Sequence, residues 1–162
     1  MNAWASSTYS NGYLPKYAWS GPGFFHSKEE DNPWLRVQLN EPTKITSITV
    51  GNRKDCCGHR LENLEIRAGM RNDLTNEIVG TFKGPGITGE RYTIQLTRAV
   101  VAEYLTFQLK KKRAILHVQG IKLNKHLKQG KYKKICIRYN YIQLNQTLQV
   151  RKFLLENRKQ NG

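Results

Sequence analysis

The sequence predicts an all-β sandwich. Two observations point there. Short runs of β-branched and aliphatic residues alternate with polar ones, and Gly-, Pro- and Asn-containing turn clusters separate them at roughly ten-residue spacing. No alternation of strand-like and helix-like segments is visible, so a parallel α/β sheet is excluded. A third observation bounds the size: 162 residues make one domain, with room for an appendage.

Taken in order, residues 1–35 are rich in Ser, Gly, Pro, Tyr and Trp, with turn chemistry at "SNGY", "SGPG" and "DNPW". "WLRVQL" (34–39) alternates, placing Leu35, Val37 and Leu39 on one side. "TKITSITVG" (43–51) is β-branched almost throughout, and "LENLEIRAG" (61–69) places Leu64 and Ile66 on one face. "RYTIQL" (91–96) and "EYLTFQL" (103–109) alternate again through Tyr92, Ile94, Leu96 and Leu105, Phe107, Leu109. "AILHVQGIKL" (114–123) is a last strand-like run in which Gly120 marks a bulge or bend. "RNDLTNE" and "KGPGITGE" read as the turn clusters between them.

After Asn124 the texture becomes Lys-, Asn- and Gln-rich. Leu144, Leu148 and Leu155 fall loosely at helical spacing, so residues 125–162 read as a basic tail, weakly helical or disordered. The formal net charge of +15 is concentrated there: residues 1–124 carry 17 basic and 11 acidic side chains, residues 125–162 carry 10 basic and one acidic, Glu156. Total charge is therefore an argument about the tail. A basic tail interleaved with tyrosines, as in "KYKKICIRYNY", would bind nucleic acid or an anionic surface in a salt-dependent way; a solvated charge run is the competing reading. No run of 18 apolar residues is present, so no membrane-spanning helix is expected. The first residues lack a basic segment followed by an apolar one, so no signal peptide is expected. Asn145-Gln146-Thr147 is a glycosylation sequon that matters only in a secreted chain.

The chain has three cysteines, and two are adjacent in "NRKDCCGHR" (52–60). Three readings compete. Cys56 and Cys57 could be two free thiols in a loop. They could join His59 and His26 around zinc, although adjacent cysteines aim poorly at one ion and zinc sites usually space them two to four residues apart. Or they could form a vicinal disulfide, a small stiff apolar knob whose ring strains the peptide between two Cα atoms about 3.8 Å apart. Around them Arg53 and Arg60 are permanent multi-donor forks, and Asp55 is placed to hold one or both. With His26 upstream, the set lacks a nucleophile–base or carboxylate pair, so it reads as a binding site and not an enzyme. Fixed donors beside an apolar platform suit a sugar, with hydroxyls on its edge and C–H groups on its faces. An ordinary surface salt bridge among Arg53, Asp55 and Arg60 is the plainer alternative.

These residues carry a resemblance. His26, a gap of 26 residues, then Arg53-x-Asp55-(four)-Arg60 with a contiguous cysteine pair inside the gap resembles the sugar-binding motif of the F-type lectin (fucolectin) family, in the discoidin-like, coagulation-factor type C group. "ASSTY" (5–9), "HSKEEDNPWLRVQL" (26–39), "ITSITVGNR" (45–53) and "AILHVQGIKLN" (114–124) are similar to the family's other conserved stretches. The resemblance covers about residues 3–124. It implies a discoidin-like jelly-roll sandwich that binds L-fucose on glycans, often with calcium, outside the cell and in recognition or innate defence. His26 would bond the axial 4-hydroxyl, Arg53 and Arg60 would donate to that hydroxyl and to the ring oxygen or 3-hydroxyl, Cys56–Cys57 would pack on the apolar C1–C2 edge, and Asp55 would orient the arginines. A single such site binds weakly, so a homo-oligomer is expected for avidity.

The chain also departs from the family pattern. Phe24 and His117 stand where the resemblance implies a bridging cysteine pair, and Cys136 is alone. Native bridges in small secreted domains contribute about 2–5 kcal/mol, so some stability is forfeited. Ser20 in "SGP" replaces the acid of the family's calcium loop near Ser20, Gly21 and Gly23, and Val118 stands where a closing-strand Glu is expected. Calcium prefers several oxygens including carboxylates, so weak or absent calcium binding is expected.

Overall fold

The computed structural model describes residues 2–125; the expectations for the tail, including Cys136, the sequon and the nucleic-acid reading, lie outside the described residues. Eight strands form among the described residues: β1 (Asn2–Ala5), β2 (Phe25–His26), β3 (Trp34–Gly51), β4 (Leu64–Gly69), β5 (Glu77–Phe82), β6 (Arg91–Leu109), β7 (His117–Val118) and β8 (Ile121–Lys125). Every pairing among them is antiparallel. Short 3-10 turns at Asn11–Tyr13, Pro15–Ala18 and Gly58–Arg60 are the remaining regular elements among the described residues.

The all-β expectation holds, and the organisation differs in one respect. The runs at 34–39 and 43–51 are two halves of one long strand, β3, as are 91–96 and 103–109 in β6. The two long strands pair with each other along their length, with register shifts between Gln38 and Thr43 and between Ile45 and Ser47. Such irregularities bend and twist a strand pair. The first half of β3 also pairs with β1, while its second half pairs with β8. The C-terminal part of β6 pairs with β4, which pairs with β5. The bend thus lets one strand pair serve both layers of the sandwich.

Alternation explains the core. Leu35, Val37, Leu64, Ile66, Leu105, Phe107 and Leu109 are buried from one part of the sheet, and Ile45, Ile48, Val50, Ile94 and Ile121 from the other. Arg36, on the opposite face of β3, is buried as well: its Nε donates to Thr106 Oγ1 (3.1 Å) and its Nη1 to the Asn72 carbonyl (3.0 Å).

Three elements depart from the sequence expectation. β1 and β2 lie in the segment read as turns, and each is too short for periodicity to register. β5 begins inside the turn cluster "RNDLTNE"; it sits at the sheet edge in the strand order, so only Val79 is fully buried and Ile78 is exposed. The run at 114–123 divides into β7 and β8 at Gly120, whose φ of +96° makes the expected bend and favours glycine there. No helix among the described residues is long and apolar enough to cross a membrane.

Candidate functional site

The loop "NRKDCCGHR" leaves β3 at Gly51 and is fastened from inside. Asn52 is buried, and its Nδ2 donates to the carbonyls of Gly58 (2.8 Å) and Ile87 (3.0 Å) while its Oδ1 accepts from the Arg53 amide (3.0 Å). Gly58 N–H donates to Thr88 Oγ1 (3.0 Å), and Gly89 N–H donates to the Arg53 carbonyl (2.7 Å). Gly58 packs so tightly that a Cβ there would stand 2.1 Å from the Thr88 nitrogen. The segment 86–89 is thus a brace for the loop.

Cys56 and Cys57 are joined by a disulfide, which decides among the three sequence readings against free thiols and zinc. Among the described residues no three His, Cys, Asp or Glu side chains converge as a metal site, and His59 is exposed. Cys57 holds a left-handed backbone (φ 60°, ψ 26°), uncommon for a non-glycine residue. Cys56 is exposed and Cys57 half-buried, so the pair reaches the surface.

Arg53 is buried, and Asp55 grips it with both oxygens: Nε–Oδ1 2.7 Å and Nη2–Oδ2 2.6 Å. This bidentate pair holds the Asp55 carboxyl well below the usual carboxylate range and raises the Arg53 guanidinium above its own. The other face of Arg53 lies over the Phe24 ring, 4.7 Å from its centroid. Asp55 was expected to hold one or both arginines; it bonds Arg53 alone, because both its oxygens are engaged on that fork. Arg60 ends the 3-10 turn Gly58–Arg60, half-buried, with no side-chain bond to any described residue.

His26 is placed by β2, paired with β7 so that His26 stands opposite His117 and Phe25 opposite Val118. His26 Nδ1 lies 2.6 Å from the Ser27 carbonyl oxygen. A carbonyl only accepts, so Nδ1 carries the proton and Nε2 of the neutral ring is an acceptor. Burial lowers the His26 pKa, the Ser27 bond opposes, and the charges of Arg53 and Arg60 lower it further. His26 is thus electrostatically within reach of both arginines.

Sequence reasoning missed several residues here. Tyr9 (5.1 Å between ring centroids) and Tyr13 (5.5 Å) lie beside His26, and Phe24 lies 6.1 Å away. Phe24 and His117, read only as lost cysteines, are an aromatic wall and a buried ring behind the site. His117 is fully buried, 5.9 Å from His26, and neither ring nitrogen has a hydrogen-bond partner among the described residues. Burial, then the nearby Arg53, pushes its pKa down to about 3, against a weaker opposing pull from the Cys57 backbone. The Tyr-rich composition of residues 9–24 was a usable signal for the wall; Asn52 and Gly58 had none, because their work is backbone bracing.

The loop where the resemblance places calcium, and where weak or absent binding is expected, is poor in ligands for that ion. Ser20, Gly21 and Gly23 bring no carboxylate, and the cleft they border is lined by Lys54 and Arg91. Calcium sites are built from several oxygens, carboxylates among them, and two facing cations oppose a third charge of the same sign.

Fold and loop geometry together define a class: a discoidin-like β-sandwich presenting a compact polar site backed by aromatic rings. Comparison with known proteins narrows it. The F5/F8 type C family model, described as NedA-like, galactose-binding domain, matches residues 18–107, more than half of the chain. Fucolectin-6 of Anguilla japonica is 36% identical over 99 residues, 61% of this chain and 52% of that protein. The crystal structure of a fucolectin from striped bass (Morone saxatilis) serum shares 31% identity at a TM-score of 0.71, covering 77% of this chain and 46% of that one. A Streptococcus pneumoniae fucose binding module, 20% identical, has the same fold at a TM-score of 0.65, covering 77% of this chain and 91% of that one. The chain belongs to the F5/F8 type C family, and within it is similar to fucolectins. It spans about half the length of the curated relatives it matches.

Proposed function

We propose that this chain is a carbohydrate-binding lectin domain that recognises terminal L-fucose on glycans. The observation that supports it best is one arrangement. An acceptor nitrogen on His26 stands near Arg53, which Asp55 holds rigid, and Arg60 and the Cys56–Cys57 knob belong to the same loop. A sugar hydroxyl both donates and accepts, so it fits between His26 Nε2 and an arginine N–H. The disulfide, with the Phe24 and Tyr13 rings, supplies apolar surface for the C–H face of the sugar. The named relatives are fucolectins and a fucose binding module. Their names and the absence of a nucleophile–base pair in the described site argue together for binding and not catalysis.

The disulfide needs an oxidising compartment, and a similar fucolectin comes from serum. The proposed setting is therefore extracellular, in recognition of foreign or self glycans. Charged donors to neutral hydroxyls contribute about 1.5–3 kcal/mol each before ordering costs, so one site is weak and the working form is a homo-oligomer. Calcium has no part in the proposed site.

The test is calorimetric titration of L-fucose into the oxidised protein. Wild type binds at millimolar sugar or below. Arg60→Ala weakens binding about tenfold or more, the loss of one charged donor. Reducing Cys56–Cys57 weakens it too. No binding by wild type at millimolar fucose overturns the reading, and equal binding with and without reductant removes the disulfide from it.

A further inference from the structure

The cleft that does not suit calcium has a chemistry of its own. It measures about 250 Å³ and lies between the loop at Trp19–Gly23 and a rim made by Lys54 of the loop 52–60, Arg91 at the start of β6, and Gln119 and Gly120 between β7 and β8. Tyr17 and Trp19 form its apolar side, and Ser20 brings a hydroxyl. Gln119 is fixed at its edge, because its Oε1 accepts from the Lys54 amide (3.0 Å). The Arg91 guanidinium lies over Gly120, its Nη1 3.4 Å from where a Cβ would stand. No acidic side chain lines the cleft. Neither Lys54 nor Arg91 has an ion-pair or side-chain hydrogen-bond partner among the described residues. Five arginines of the described residues are ion-paired and Arg36 is hydrogen-bonded, so Arg91 shares only with Arg60 a guanidinium without a polar partner there. Two cations lining one cleft beside half-buried aromatic rings favour an anion bearing several acceptor oxygens.

Position adds the second half. Lys54 follows Arg53 directly, so consecutive residues of one loop serve the cleft and the sugar site. We propose that this cleft is a second subsite that takes the sulfate ester or carboxylate of an acidic saccharide attached to the fucose. The proposal rests on the fucose reading. It makes the domain a reader of acidic fucosylated glycans, with an anion seated where the resemblance implied a cation.

The experiment has two arms, each on the full chain and on the Lys54→Ala/Arg91→Ala double variant. Both side chains are exposed and without a polar partner among the described residues, and neither belongs to the fucose site, so the variant keeps its affinity for free L-fucose. The first arm titrates inorganic sulfate and follows the Lys54 and Gln119 backbone amides by NMR. The second compares a neutral fucosylated trisaccharide with its sulfate ester by calorimetry. Wild type prefers the sulfate ester by about three- to tenfold at low salt, and the preference shrinks as salt rises. The double variant loses the preference. Equal affinity for the two trisaccharides in wild type overturns the proposal, as does a preference that survives in the double variant. Sulfate-induced shifts without a trisaccharide preference assign the cleft to a free anion and overturn the saccharide part. If L-fucose binds neither protein, the fucose reading fails by itself and the first arm still decides the cleft. Shifts of both amides in wild type alone uphold an anion site, and no shift rejects it.

Discussion

At the residue scale, the informative detail is which nitrogen of His26 holds the proton. The Ser27 carbonyl claims Nδ1–H, so the neutral ring offers an acceptor, while Arg53 and Arg60 offer only donors. The three residues are complementary to a hydroxyl only while His26 is uncharged. Protonation would convert Nε2 to a donor and add a third positive charge to the site. Burial and the two arginines lower the His26 pKa from 6.5, so at neutral pH the acceptor form prevails. Fucose affinity is therefore expected to be flat above pH 6.5 and to fall once the pH drops below the His26 pKa, by up to about tenfold per pH unit. Calorimetric titrations between pH 8 and pH 5, with circular dichroism confirming the fold, measure this. His26→Gln, which keeps an acceptor but does not titrate, should bind more weakly and lose the pH dependence. An affinity that stays level through the pH at which NMR shows the His26 ring taking up its proton would remove His26 as the acceptor. The sequence exposed this residue through its spacing from Arg53, but its tautomer depends on the neighbouring carbonyl and was not legible there.

At the scale of elements, the loop 52–60 works because segment 86–89 holds it. Asn52 Nδ2 bridges the two through the Gly58 and Ile87 carbonyls, and Gly58 presses its backbone onto Thr88. Asn52→Ala removes both bonds and leaves the buried Arg53 N–H without its acceptor, a cost of about 1–3 kcal/mol. Gly58→Ala forces two backbones apart, since no side-chain adjustment relieves a contact with the Thr88 main chain. Both variants should lower the midpoint of chemical denaturation, and both should weaken L-fucose binding although neither residue is placed to touch the sugar. Unchanged affinity in a folded Gly58→Ala protein would show that the brace does not set the loop. The chemistry-bearing half of this element, Arg53, Asp55 and the cysteines, was legible because residue type alone announces it. The brace was not, because Gly86–Gly89 lies thirty residues on and carries no functional side-chain signature. The same limit explains the strands. Long alternating runs in β3 and β6 were read, but their continuity through the bends was not, because Gln38–Thr43 interrupts the period. Edge strand β5, half exposed, imitates a loop.

At the scale of the whole molecule, the sandwich buries a histidine where the resemblance implied one end of a disulfide, and this ties stability to pH. His117 is fully enclosed with both nitrogens unpartnered among the described residues, so the folded protein holds it neutral down to about pH 3, whereas the unfolded chain protonates it near 6.5. Its pKa is depressed by folding, so its contribution is present in full above 6.5 and is lost as the pH falls toward 3. Asp55 and Asp73 are also held low, by Arg53 and by Thr75 respectively, and their contribution is lost at more acid pH, below the ordinary carboxylate range. The interval from about pH 6.5 down to about 4 therefore belongs to the histidines, His117 foremost and His26 with it. Across it, one proton taken up on unfolding lowers stability by about 1.4 kcal/mol per pH unit. Urea denaturation at half-unit steps should show that slope, and His117→Leu should flatten most of it. An aliphatic side chain of similar volume removes two unpaired polar atoms from the core, so the variant should also match or exceed wild type at pH 7. If His117→Leu keeps the full acid slope while remaining folded, the enclosed ring is not the group that couples this fold to pH.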